Sequence, residues 1–333
     1  MILGFLVFAM SLLNLEERPQ NIVVETKQVQ IPEYPDAFNA SIIRWQGKLL
    51  MSFRDIPDRK SAFTSTIGLV WVDEEFCPIS KPQLLQLRDR NSVSPCRAAD
   101  ARLVAVANRL YIVYDDNTEP AITRGGFRVH YGELKWNGKA FSLHNCDRIE
   151  HFEGESKNIR EKSWVPFDYR GNLFLAYSIT PHKIFYPLQG TGACQTIAVA
   201  ENQMAWEWGD SIRGGTPALL EGDEYLAFFH TCKQMVTLHS KGKRALHYFI
   251  GAYTFKRDAP FSITKMTPEP IIGPNFYEGV SYKPYWGPIK AVFPCGFLAD
   301  QNFVWIAYGR DDHEIWIAKL DKKALLDSLV EVK

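Results

Sequence analysis

Apolar and polar positions alternate along this chain in short runs, and five of the runs share one plan. WQGKLLMSFRD (45–55), VANRLYIVYDD (106–116), YRGNLFLAYSI (169–179), LEGDEYLAFFHT (220–231) and ADQNFVWIAYGRDD (299–312) each open on a turn built from Gly, Asn or Asp. Each continues as an apolar strand and closes on an aromatic followed by a polar or special residue. The closing aromatics Phe53, Tyr114, Tyr177, Phe229 and Tyr308 are separated by 61, 63, 52 and 79 residues. Recurrence at this period, in short strands with frequent Pro and Gly, predicts an all-β, single-domain, five-bladed β-propeller with one four-stranded sheet per blade. A β-sandwich accounts for the strands but not for their fivefold return.

A second regularity lies upstream of the aromatics. Asn39, Asp100, Lys162, Thr216 and Pro294 precede them by 14, 14, 15, 13 and 14 residues, and the residues just after the aromatics are Arg54, Asp115, Ser178, His230 and Gly309. The innermost strand of each propeller blade lines the central channel, so a tight hairpin brings both sets toward one mouth. Core-forming repeats favour apolar residues at such positions, yet several of these are charged. Asp100 is therefore read as one blade's contribution to a polar funnel on the axis; the alternative is a turn cap paired with Arg102.

The ends of the chain depart from the repeat. Residues 1–20 carry an apolar run, Ile2 to Leu13, too short to span a bilayer; it reads either as the core of a weak signal peptide or as a packed, tethering segment. The body, residues 21–320, reads as soluble, cytoplasmic or exported, and residues 321–333 have the apolar spacing of a short terminal helix. With 38 basic and 38 acidic side chains, bulk charge points to no polyanion, and nucleic acid is not an expected partner. The six cysteines are scattered without a CxxC pair and read as buried free thiols; the eight dispersed histidines offer no metal pattern.

In chain order the segments FNAS (38–41), SFRD (52–55), AADARL (98–103), REKSWVPF (160–167), GGTPAL (214–219), YLAFFH (225–230), YFIGAYTF (248–255), PIIGPNFYEG (271–280), AVFPCG (291–296) and YGRDD (308–312) resemble glycoside hydrolase family 130. Its members are β-mannoside phosphorylases and β-mannosidases on a five-bladed propeller, and the resemblance covers about residues 36 to 320. It implies a carbohydrate-active enzyme that cleaves, or in reverse forms, β-mannosidic linkages with inversion. AADARL stands where the family has Glu-Asp-Pro-Arg, so Asp100 takes the place of the catalytic acid, which in the family acts through a sugar hydroxyl; Ala99 and Ala101 replace the usual Glu and Pro. Asn39, Arg54 and Asp312 resemble the family's contacts to sugar hydroxyls, and Arg102 is read with them or as a group that holds Asp100.

The nucleophile decides the reaction. Phosphate needs cations and donors rather than a base, and Lys162, His230, Tyr248 and Arg128 (or Arg124) are the candidates; inorganic phosphate would then be a co-substrate, with no other cofactor and no metal. Water needs a base carboxylate, for which Glu161 and Glu278 are the candidates. Trp164 offers a ring face for sugar stacking or sits in the core. Phosphorolysis is favoured over hydrolysis; a glycan-binding or mannosyl-transferring propeller with the same pocket is the alternative outside both. The partner is an oligosaccharide or mannoside, and association into a homo-oligomer is left open.

Overall fold

The computed structural model describes residues 12–17, 21–58, 64–87, 96–117, 126–155, 160–209, 211–279 and 289–333. Their strands form five antiparallel-dominated sheets arranged as an all-β propeller, a single domain. In chain order, four-stranded sheets run through Phe38–Trp45 to Gln83–Leu84, Ala99–Val106 to Phe141–Arg148, and Val165–Tyr169 to Ala193–Ala200. The last four-stranded sheet takes Val292–Ala299, Phe303–Arg310 and Glu314–Asp321, with Val23–Val29 from the other end of the chain as its outer strand. That pairing ties an N-terminal strand to the last sheet and so closes the ring.

The expectation of five equal four-stranded blades is met by four. The remaining sheet has seven strands, because its central hairpin, Glu224–Val236 with Arg244–Lys256, runs 13 residues per strand, long enough to recruit short partners along its length. The outermost strand, Val330–Glu331, pairs with Ile263–Met266 and comes from the C-terminus, after a helix over Lys322–Ser328 whose N-terminus is capped by the Asp321 carboxylate accepting from the Ala324 amide.

Each of the five closing aromatics lies in the second strand of its sheet, which explains the recurrence. Three of the turns are two-residue loops with both central residues at positive φ: Gln46-Gly47, Ala107-Asn108 and Arg170-Gly171. These type I′ turns match the right-handed twist of the strands they join, so the local sequence sets hairpin register. Phe53 and Phe229 are fully buried over glycines of the next strand, and a Cβ at Gly68 or Gly251 would sit 2.1 or 2.2 Å from the ring. The core lies between sheets, where fully burying one such ring contributes on the order of 2–3 kcal/mol.

Of the N-terminal segment only 12–17 are described, so the apolar run up to Met10 lies outside the described residues. Leu15 is fully buried, and Glu16 accepts the amides of Asn275 and Tyr277. No helix among the described residues is long and apolar enough to cross a membrane. The cysteines correct the sequence reading: all six are free, but only Cys295 is buried, while Cys77 and Cys146 are exposed, because they sit on outer strands and turns.

Candidate active site

A cavity of about 1010 Å³ opens where the first residues of the innermost strands meet. Asn39 and Asp100 stand at equivalent places in two of these strands. Each has positive φ, 48° and 54°, at a break in strand register, a conformation that Asn and Asp tolerate better than other non-glycine residues. The bulge turns each side chain out of the sheet ladder and into the cavity floor. In the third sheet the positive-φ residue is Ser163, one beyond Lys162, so the uniform offset of 14 from the aromatic belongs to Ser163. Gly309 needs to be glycine: a Cβ there would lie 1.9 Å from Asn39 Oδ1.

Asp100 is 6% exposed and surrounded by donors. Asn39 Nδ2 donates to its Oδ1 at 2.7 Å, Arg54 Nη1 lies 3.3 Å from the same oxygen, and Lys162 Nζ is 3.7 Å from Oδ2. Burial alone would raise this carboxyl. Lys162 and Arg54, with the Asn39 bond and Arg102, more than offset it and hold the group well below the usual carboxylate range. Asp115, on the neighbouring strand, is more buried but less well paired; burial pushes it up to about 6 against the pull of Lys162 and Arg102.

The sequence candidates divide on inspection. Asn39, Arg54, Asp100, Lys162, His230, Tyr248 and Asp312 all line the cavity. Arg102 does not: fully buried beneath the floor, it donates from Nη1 to the Asp100 carbonyl at 2.8 Å and from Nε to the Gly215 carbonyl at 2.5 Å, which corrects its reading as a sugar contact. Trp164 is also corrected; it is 1% exposed in a cluster with Phe152, Tyr177 and Phe185, so neither ring face is open to a sugar. Arg128 turns away to pair with Glu155 at 3.5 Å, and Arg124 lies outside the described residues.

His230 lines the wall as a neutral imidazole. Burial, then Arg102 and Arg213, lower it to about 3, and its ring stacks on Tyr248 and meets Phe293 at a tilt. Tyr248 is pushed well up by burial and stays a phenol able to donate. The two candidate bases are absent from the lining: Glu161 is 2% exposed, held by the Trp164 indole, and Glu278 is exposed on the loop before residue 280.

Sequence reasoning missed three of the five cations of the wall. Arg97, Arg160 and Arg213 line the cavity beside Arg54 and Lys162. Three of these groups gather over the Phe127 ring, Lys162 at 4.2 Å, Arg97 at 5.2 Å and Arg160 at 5.9 Å from its centroid. The available signal was adjacency: Arg97 is three residues before Asp100 and Arg160 two before Lys162. Against five cations the described lining has two carboxylates, Asp100 and Asp312, leaving a formal excess of three positive charges. Such a cavity favours an anion next to a buried carboxyl group.

The profile of the family Glyco_hydro_130, described as beta-1,4-mannooligosaccharide phosphorylase, matches residues 12–331. No curated protein sequence matches significantly. Among solved structures, a putative glycoside hydrolase from Parabacteroides distasonis is similar at TM-score 0.63 and 17% identity, over 92% of this chain and 94% of that one. A structure from work on glycoside hydrolases of the GH130 mannoside phosphorylase family that target beta-1,2 mannosidic linkages in Candida mannan is similar at TM-score 0.60 and 14% identity, over 97% and 96%. The mannose phosphorylase of Leishmania mexicana, in complex with phosphate ion, is similar at TM-score 0.55 and 10% identity, over 93% and 92%. At these identities the structures speak for the fold alone.

Proposed function

The chain belongs to glycoside hydrolase family 130, glycoside phosphorylases and glycosidases acting on β-mannosidic linkages, and from that membership we propose that it cleaves such a linkage by inverting phosphorolysis. The observation that carries this reading is the cationic wall, Arg54, Arg97, Arg160, Lys162 and Arg213, around one side of the Asp100 cavity. Phosphate is already a nucleophile; it needs charge compensation and donors, not deprotonation. Lys162, the arginines and the Tyr248 hydroxyl supply both. His230, being neutral, contributes an aromatic wall rather than charge.

Asp100 is the acid, and its ionisation among these cations fits that role once an anion is bound. Lys162 and Arg54 keep it ionised; a phosphate that takes over these cations removes what depresses its pKa, so the proton arrives with the co-substrate. The proton then passes to the leaving oxygen, through a sugar hydroxyl where the distance requires it, while phosphate attacks the opposite face. Asn39 and Asp312 offer an amide and a carboxylate to paired sugar hydroxyls. The mannose phosphorylase with bound phosphate shares the fold and is consistent with this assignment.

The test is product formation from β-mannosides across a phosphate titration. Mannose 1-phosphate should appear in proportion to phosphate saturation. Full activity in phosphate-free buffer, with free mannose as product, would replace phosphorolysis by hydrolysis.

A further inference from the structure

The strand Arg244–Lys256 brings Tyr248 to the cavity wall, and its outward edge is covered piecemeal. Ile263–Met266 pairs only with Tyr253–Phe255, and the short strand Ile289–Lys290 only with Leu246–His247. Between them the carbonyl of Ala252 accepts the Thr267 amide at 2.9 Å and that of Ile250 the Ile271 amide at 2.8 Å. At Tyr248, two residues further on, a side chain takes the same part: the Tyr277 hydroxyl donates to the Tyr248 carbonyl at 2.7 Å. Tyr277 is 1% exposed, so this bond is shielded from water.

Tyr277 is in turn set by the N-terminal segment. One carboxylate oxygen of Glu16 accepts the Tyr277 amide at 2.7 Å and the other accepts the Asn275 amide at 3.1 Å. A turn that presents two amides to one side chain needs two acceptor oxygens there, which a carboxylate has and an amide side chain lacks. The neighbours of Glu16 hold the turn that joins the two long strands: Leu238 donates to the Leu13 carbonyl at 3.0 Å, and the Leu15 amide donates to His239 at 3.2 Å. The His239 ring then lies 5.6 Å from that of Tyr277. Residues 13–16 thus join the tip of the hairpin to the 275–277 turn beside its edge.

We propose that Tyr277 and Glu16 are positioning residues of the anion-binding wall: Glu16 fixes the 275–277 turn, and Tyr277 holds the strand from which Tyr248 reaches phosphate. The proposal rests on the phosphorolysis reading, in which the Tyr248 hydroxyl is a phosphate donor. Neither Tyr277 nor Glu16 lines the cavity, so both act through Tyr248. The Tyr248 ring lies along His230, centroids 6.0 Å apart and planes at 17°, a contact that fixes its tilt but lets it slide with its strand. A hydrogen bond weakens steeply as its angle and length depart from the optimum, so a small slide is felt at the phenol hydroxyl. The sugar side is held separately. Asn39 and Asp100 belong to other sheets, and Arg310, two residues before Asp312, donates to the Asn275 carbonyl at 2.6 Å and to Glu314 at 2.5 Å.

The experiment is a double-mutant cycle on Tyr277→Phe and Tyr248→Phe, read from initial rates over a matrix of inorganic phosphate and β-mannoside concentrations. Tyr277→Phe keeps the ring and removes one shielded hydrogen bond, so half-maximal rate should need about 2- to 10-fold more phosphate, with the mannoside KM within about twofold of wild type. In the Tyr248→Phe background the same change should leave the phosphate constant where it is, because the hydroxyl that Tyr277 positions is already gone. A merely structural role would weaken both backgrounds alike. If Tyr277→Phe does not fold, Glu16→Gln, at a half-buried site, goes through the same cycle with the same expectation. In a phosphate-dependent enzyme, an unchanged phosphate constant, an equal shift in the mannoside KM, or the same shift with and without the Tyr248 hydroxyl overturns the positioning role alone. Wild-type turnover that does not depend on phosphate overturns the phosphorolysis reading and this role with it.

Discussion

Replacing Lys162 by Ala separates the anion from the sugar. Lys162 is partly enclosed, 3.7 Å from Asp100 Oδ2 and 4.2 Å from the Phe127 centroid, so its ammonium is held rather than free in water. One charge-assisted hydrogen bond to a phosphate oxygen at such a place is worth about 1.5–3 kcal/mol. At about 1.4 kcal/mol per decade, the variant should need roughly 10- to 100-fold more phosphate for half-maximal rate. The mannoside KM should change by no more than a few-fold, because Asn39 and Asp312 are untouched. Initial rates over a matrix of phosphate and mannoside concentrations give both constants. Equal shifts in the two, or an unchanged phosphate KM, would refute the assignment of Lys162 to the anion.

Other expectations follow from individual contacts. Asp100→Asn keeps the shape and the Arg54 and Lys162 neighbours but has no transferable proton, so kcat should fall by about 10²–10⁴ in a folded variant whose melting temperature is lowered by loss of the ionised group's pairing; wild-type turnover would make Asp100 a turn residue only. Gly309→Ala puts a Cβ 1.9 Å from Asn39 Oδ1 and should displace Asn39 from Asp100, lowering kcat/KM more than stability, as parallel kinetics and thermal melts would reveal. Glu161 is raised by burial from about 4.5 to about 7, so its ionised form destabilises the fold above the unfolded value, and the penalty is relieved as pH falls from about 7 toward 4.5. Glu161→Gln should accordingly stabilise at pH 8, by at most about 3 kcal/mol, and have little effect at pH 4; denaturant unfolding at the two values measures this.

Much of the molecule was legible as sequence because it depends on near neighbours. Two-residue turns such as Gln46-Gly47 and Arg170-Gly171 require backbone conformations that few residues adopt, and the strands they join are written in alternation and closing aromatics. The repeat therefore exposed the second strand of every sheet. It also located Asn39 and Asp100, because a bulge at a constant distance from the aromatic recurs in the chain as a constant offset. The single-residue slip at Lys162 shows the limit of counting: positive φ belongs to Ser163, and only backbone geometry distinguishes the two.

What the linear sequence determined is thus the repeat, the hairpins and the place of Asp100 beside Asn39, all properties of segments a dozen or so residues long. The tertiary structure alone decided which charges share a space. Arg97, Arg160 and Lys162 meet over Phe127, Trp164 and Arg102 withdraw into the interior, and Glu161 is buried while Arg213 reaches the cavity. It also decided that one sheet grows to seven strands, since a long hairpin leaves room for short partners and the C-terminal strand adds to its outer edge. The physical reason is common to all of these: burial and electrostatic pairing depend on distances through space between residues of different sheets, and nothing in the order of residues along one strand encodes those distances.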